Sequence, residues 1–204
     1  MPGTPETPRD RRLGGFQVVA GMVAIMWLSE VIDVAANHRL DRLGIEPHKP
    51  DGLIGVATAP FLHASFGHLI GNTLPFVTLG LVIAFQGAAR VLAVTALVAV
   101  VSGLGAWLFG AEGTVHIGAS GVVFGYATYL LARGFFNRDP MELAIAVIVA
   151  VVWGGALAGS LLPHEGISWQ SHVFGAIGGV IAAQVFARKR AEPGGGGRTS
   201  AEPA

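Results

Sequence analysis

The sequence predicts an all-α membrane protein, a bundle of six transmembrane helices with a short central fourth helix. Three observations point there. Only 13% of the 204 residues are charged and 52% are hydrophobic, whereas a globular domain is about a quarter charged. Uncharged apolar stretches recur six times along the chain, most of them near the ~20 residues a helix needs to cross hydrocarbon. The cationic residues then segregate to one side of the resulting segments.

Residues 1–14 are polar, with Pro and Arg, and predict a disordered cytoplasmic extension. A first span is expected at 16–36. Arginines ahead of an apolar run also mark signal peptides, but this run outlasts a typical h-region and no persuasive A-x-A cleavage site follows it, so an uncleaved span is expected. Further spans are expected at 67–86, 90–110, 117–132, 141–162 and 171–187, giving a membrane domain over 15–187. Residues 188–204, Arg-Lys-Arg and then a glycine-rich run, predict a flexible basic cytoplasmic tail.

The fourth stretch stands apart by its length. Gly118 to Ala132 is 15 residues, about 22 Å of helix against a ~30 Å core. With its inner end anchored near Arg133, its outer end begins below the membrane surface. Irregular backbone at that depth is tolerated only where it lines a protein cavity.

Orientation follows from the positive-inside rule. With both termini cytoplasmic, the inside holds Arg9, Arg11, Arg12, Arg90, Arg133, Arg138, Arg188, Lys189, Arg190 and Arg198, and the outside only Arg39, Arg42 and Lys49. The style of the sequence, rich in Ala, Gly, Val and Arg, suggests a bacterial plasma membrane. The first outer loop, about 37–66, mixes Leu40, Leu43, Ile45, Leu53, Ile54 and Val56 with charges. It reads as a segment lying half-buried in the membrane interface.

Two polar residues sit where hydrocarbon is expected. Ser120 lies in Gly118-Ala119-Ser120-Gly121 at the mouth of the short fourth helix, and His172 opens the sixth. A serine hydroxyl is a poor nucleophile without a base in hydrogen-bond reach. Gly121 and Gly125 on one helix, and Gly175 and Gly179 on the other, form G-x-x-x-G steps that let membrane helices approach closely. Side chains at the outer ends of two such helices can come within about 3 Å, so Ser120 is the expected nucleophile and His172 its base. His68 and Asn72, at i and i+4, share a face of the second helix and are expected to donate to an oxyanion, with the Ser120 N–H as a third donor. His63 falls on a different face and is expected to order the loop.

The last three spans hold only Glu142 among carboxylates, so the pair is a dyad whose imidazole is oriented by packing and backbone contacts. The chain has no cysteine, which removes thiol nucleophiles, disulfides and cysteine metal sites. A zinc protease needs H-E-x-x-H on a helix, and His164-Glu165 is followed by Gly-Ile-Ser. Glu30 and Asp33, near the outer end of the first span, read as interfacial, not as an aspartyl pair. His38, His48, His116 and His164 fall in outer loops in no metal-ligand pattern. No cofactor, metal or nucleic-acid partner is expected.

Three segments together, His63-Ala-Ser-Phe-Gly-His68-Leu-Ile-Gly-Asn72, Gly118-Ala-Ser120-Gly121 and His172-Val-Phe-Gly175-Ala-Ile-Gly-Gly179, make the chain resemble the rhomboid intramembrane serine proteases over about residues 16–187. The resemblance implies a rhomboid-like six-helix bundle that cleaves single-span membrane proteins in or near their transmembrane helix, with Ser120 as nucleophile, His172 as general base, and His68 and Asn72 at the oxyanion. It also implies a lateral gate beside the fifth span, near Trp153, under a cap at 162–170. Many relatives carry a Trp-Arg pair in the first outer loop, which is missing here. Where some stack a Tyr on the histidine, this chain has Phe124. Two other classes fit the sequence less well: a catalytically inactive rhomboid-like adaptor or chaperone, whose relatives have usually lost the Ser or His retained here, and a small transporter, which would need paired intramembrane charges and matched broken helices.

Overall fold

A computed structural model describes residues 7–161 and 168–187. Among these the protein is helical, with no strand beyond an isolated bridge between Ile45 and His116. Helix α1 spans Pro8–Ala35, α2 is a single turn at Gly55–Thr58, and α3 spans Phe66–Ala84. Then come α4 (Ala88–Phe109), α5 (Ser120–Asn137), α6 (Pro140–Gly159) and α7 (Trp169–Val185). Four of them, α1, α3, α4 and α6, are long and apolar enough to cross a membrane. At 18 and 17 residues, α5 and α7 are shorter, about 27 and 26 Å.

Two boundaries correct the sequence reading. The first helix begins at Pro8, within the stretch expected to be disordered, because a capping box stops fraying there. Thr7 Oγ1 accepts from the Asp10 N–H at 3.2 Å, the Asp10 carboxylate accepts from the Thr7 N–H, and Pro8 takes the first helical position. The fourth apolar helix does not stop at Ala132. Arg133 pairs with Glu142 of α6, Asn137 Nδ2 donates to the same carboxylate at 2.6 Å, and the helix ends only where Arg138 turns left-handed at φ 52°. A charge neutralised by a neighbouring helix no longer marks a helix end. Residues 1–6, the basic tail at 188–204 and most of the expected cap, 162–167, lie outside the described residues.

Helix α5 is the centre of the bundle. From Gly121 to Leu130 nearly every residue is buried around its whole circumference, the signature of a core helix. Helices α3, α4, α6 and α7 all touch it. Against α7 the approach is glycine on glycine: a Cβ at Gly175 would lie 2.1 Å from the Gly121 carbonyl oxygen, and one at Gly179 would lie 2.1 Å from that of Gly125. Thr128 Oγ1 donates to the Ala176 carbonyl across the same seam at 2.8 Å. Helix α4 closes the seam from the side, with Val98 over Gly125 and Ser102 over Gly121; Ser102 Oγ donates to the Ser171 carbonyl at 2.8 Å. The outer faces of α1, α3 and α6 are apolar and exposed, with Leu28, Ile70 and Val151 among them, as lipid contact requires.

The first outer loop is half-buried, as its pattern suggests: Ile45, Ala59 and Leu62 point inward while Leu43, Leu53 and Ile54 are exposed. It is tied to the segment before α5 at two points. Ile45 and His116 exchange backbone hydrogen bonds of 2.9 Å, and the Gly118 N–H donates to the Ala59 carbonyl at 2.9 Å.

Candidate active site

Gly118 prepares the site. Its φ of +116° lies in the region that favours glycine, and a Cβ there would sit 2.7 Å from His68 Cε1. The glycine therefore permits both the turn into α5 and the close overlay of His68. Ser120 follows as the first residue of α5, where backbone N–H groups have no intrahelical partner and the helix dipole presents its positive end.

Ser120 Oγ lies 2.8 Å from His172 Nε2. His172 Nδ1 lies 2.8 Å from the Ser160 carbonyl oxygen at the end of α6. A carbonyl only accepts, so Nδ1 carries the proton and Nε2 is left to accept from the serine hydroxyl. The Phe124 ring, one turn after Ser120, stacks on the imidazole at 4.4 Å between centroids and 14° between planes. The imidazole is thus fixed by a carbonyl and a phenyl face. The one carboxylate on these helices, Glu142, is engaged with Arg133 and Asn137. An alcohol donating to an unprotonated imidazole nitrogen can shed its proton as the oxygen attacks a carbonyl.

His68 and Asn72 stand across from this pair on α3. The Ser65 hydroxyl caps the helix by accepting from the His68 N–H at 3.2 Å. Asn72 Nδ2 donates one hydrogen to the His68 carbonyl at 3.1 Å, and its second remains available. Ser120, His172, His68 and Asn72 together line one cavity of about 640 Å³, within the usual range for ligand sites.

The structure adds residues that sequence reasoning placed elsewhere or missed. His63 does more than order its loop: its Nε2 accepts from the Ala119 N–H at 3.4 Å, and its ring meets the His68 ring edge-on at 5.1 Å. Burial, with His68 beside it, pushes its pKa down to about 3, so it works as a neutral spacer between α3 and the Ser120 turn. His116, also lowered by burial, bonds Ser168 at 2.6 Å and Thr114 at 3.0 Å on the cavity wall. Ser160 acts through its carbonyl, for which a sequence carries no signal.

Glu30 and Asp33, near the outer end of α1, are covered by protein. They are 1% and 2% exposed, because the loop after α1 folds back over them: the Leu40 N–H donates to Asp33 Oδ1 at 2.6 Å. The same reversal brings His38 and Asp41 to Asp33, with one ligand-type atom of each within 4.8 Å of the others. Sequence spacing had placed His38 in no metal-ligand pattern. Asp41 also lines the cavity that holds Ser120.

Residues 50–189 match the Rhomboid domain family. The chain is 42% identical over 193 residues to an uncharacterised protein of Mycobacterium tuberculosis, covering 91% of this chain and 80% of that one. A Mycobacterium leprae relative, also uncharacterised, is 41% identical over 195 residues, with 89% and 76% covered. A Bacillus subtilis protein named "Putative rhomboid protease YdcA" is 26% identical over 134 residues, 65% of this chain and 67% of that one. The family match spans well over half of the sequence, and the long apolar helices agree with it: this multi-pass membrane protein belongs to the rhomboid family.

Proposed function

We propose that the protein is an intramembrane serine endopeptidase that cleaves single-span membrane proteins in or near their transmembrane segment. The observation that carries this reading is the 2.8 Å contact between Ser120 Oγ and His172 Nε2, made inside a cavity that also holds neutral donors. A substrate helix unwinds to present a scissile carbonyl. Ser120 Oγ attacks its carbon while the hydroxyl proton passes to His172 Nε2. The oxyanion accepts from the Ser120 N–H, from His68 and from the spare Asn72 hydrogen, a form of stabilisation worth about 3–4 kcal/mol per donor. His172 then protonates the departing amine. Water hydrolyses the acyl-enzyme, its proton taken by the same nitrogen, and Ser120 is regenerated.

The substrate enters beside α6. Gly154, Gly155 and Gly159 on this helix have no neighbour within 4 Å of where a Cβ would stand, and Val147, Ile148, Val151 and Val152 are exposed. Trp153, packed on the core from this helix, marks the expected place of the gate. The membrane domain crosses the bilayer six times with both termini in the cytoplasm, in a bacterial plasma membrane, as the distribution of Arg and Lys supports.

The test is labelling by a fluorophosphonate probe together with cleavage of a reporter single-span protein. Wild type labels and cleaves; Ser120→Ala and His172→Ala insert normally and do neither. Wild-type cleavage by either variant refutes the assignment.

A further inference from the structure

The geometry points to a divalent-cation site at the outer end of α1, formed by Asp33, His38 and Asp41 with Glu30 beneath them, and adjoining the cavity of Ser120 through Asp41. The donors already converge: one atom from each of Asp33, His38 and Asp41 lies within 4.8 Å of the others. Donors held tetrahedrally at about 2.2 Å from a cation stand about 3.6 Å apart, and His38 Nδ1 already lies 3.5 Å from Asp33 Oδ2 and 3.8 Å from Asp41 Oδ2.

A second observation singles this cluster out from an ordinary acidic surface. Glu30 is 1% exposed and neither of its carboxylate oxygens has a hydrogen-bond partner. It lies one turn before Asp33 on the same face, close enough to feel the charges of Asp33, His38 and Asp41. Asp33 Oδ2 and Asp41 Oδ1 are likewise buried without a hydrogen bond. Buried carboxylates need a partner or a metal. His38 is the one Lys, Arg or His side chain within 4 Å of any of them among the described residues, at 3.5 Å from Asp33 and 3.8 Å from Asp41.

The placement deepens the imbalance. These carboxylates crowd the C-terminus of α1, which carries the negative end of the helix dipole and has no basic residue in its last turn. Successive left-handed residues, Asn37 at φ 53° and His38 at φ 56°, reverse the chain so that the imidazole returns to the helix it left.

The mixed oxygen and imidazole set suits Mn²⁺ or Zn²⁺ better than Ca²⁺, which takes oxygen donors. A cation there ties the first outer loop to α1 and holds Asp41 at the cavity wall. The site is independent of the proposed chemistry and is tested on the full chain carrying Ser120→Ala, so that its failure and that of the peptidase reading are separable. Mn²⁺ binding is followed by electron paramagnetic resonance in detergent, with Zn²⁺ and Ca²⁺ as competitors. Expected are about one saturable Mn²⁺ per chain, displacement by Zn²⁺ in preference to Ca²⁺, and weakening of at least about tenfold in Asp41→Asn and His38→Asn. Asparagine tolerates the left-handed backbone of His38, so that variant remains informative if an Asp33 variant does not fold. Absence of saturable Mn²⁺ and Zn²⁺ binding, or binding unchanged in both variants, overturns the site. A thermal stability raised by acid and indifferent to either metal also overturns it, since the carboxylates are then satisfied by a shared proton.

Discussion

Gly175→Ala isolates the contribution of the glycine seam. The added methyl carbon would stand 2.1 Å from the Gly121 carbonyl oxygen, whereas carbon–oxygen contacts begin at about 3.3 Å. The obstacle is backbone, so no rotamer change relieves it. Helix α7 must retreat by about 1.2 Å. His172 begins one turn earlier on the same helix, and a retreat of that size takes its 2.8 Å contact with Ser120 to about 4 Å, beyond the ~3.2 Å reach of a base. A misplacement of about 1 Å costs on the order of 10²-fold in rate, while the overpacking costs about 1–3 kcal/mol of stability. The assay is the second-order rate of fluorophosphonate labelling in detergent, run beside thermal unfolding. Gly21→Ala on α1, where nothing lies within 4 Å, is the control and labels like wild type. Labelling of Gly175→Ala at the wild-type rate in a folded protein would refute the argument that the seam sets the dyad.

Asn72→Ala removes one of the donors proposed for the oxyanion and is expected to lower kcat about 10²–10³-fold with little change in labelling stoichiometry. Phe124→Leu keeps the volume roughly but loses the ring stacked on His172; a fall of about 3–10-fold in labelling rate is expected, and no change would make the stack incidental. Glu142→Ala leaves Arg133 and Asn137 without their shared carboxylate and is expected to lower the unfolding temperature, because a largely buried cation loses its counterion. His63 titrates near 6.5 when unfolded and at about 3 when folded, so the unfolded chain binds the extra proton and acid destabilises the fold. His63→Gln should remove up to ~1.4 kcal/mol per pH unit of that loss between pH 6.5 and 3, read from unfolding at several pH values.

The spans were legible because hydrocarbon leaves a strong compositional trace: α3, α4 and α6 fall within about two or three residues of the apolar stretches that predicted them. The contact between Ser120 and His172 was legible for a different reason. A hydroxyl and an imidazole each preceded a G-x-x-x-G step, and small residues at that spacing announce a close helix contact. The sequence does not announce which third helix seals the contact, so Val98 and Ser102 of α4 emerged only from the coordinates. Nor does it show contacts made by backbone atoms, which is why the Ser160 carbonyl behind His172 had no forecast. The Glu30–Asp41 cluster was missed because proximity there depends on two left-handed residues that reverse the chain, and a local pattern search reads only spacing along a regular element.

The carbonyl behind His172 also determines how much charge this part of the protein must hold inside the membrane. A serine protease with an aspartate in that place holds a fixed anion next to its reacting atoms. In a bilayer such an anion would have to be held away from water, at a cost of several kcal/mol unless it were paired. An alcohol, a hydrogen-accepting imidazole and a peptide carbonyl impose no such cost, because none of the three carries a full charge at rest. The contact can therefore be kept among apolar helices without a counterion built in beside it.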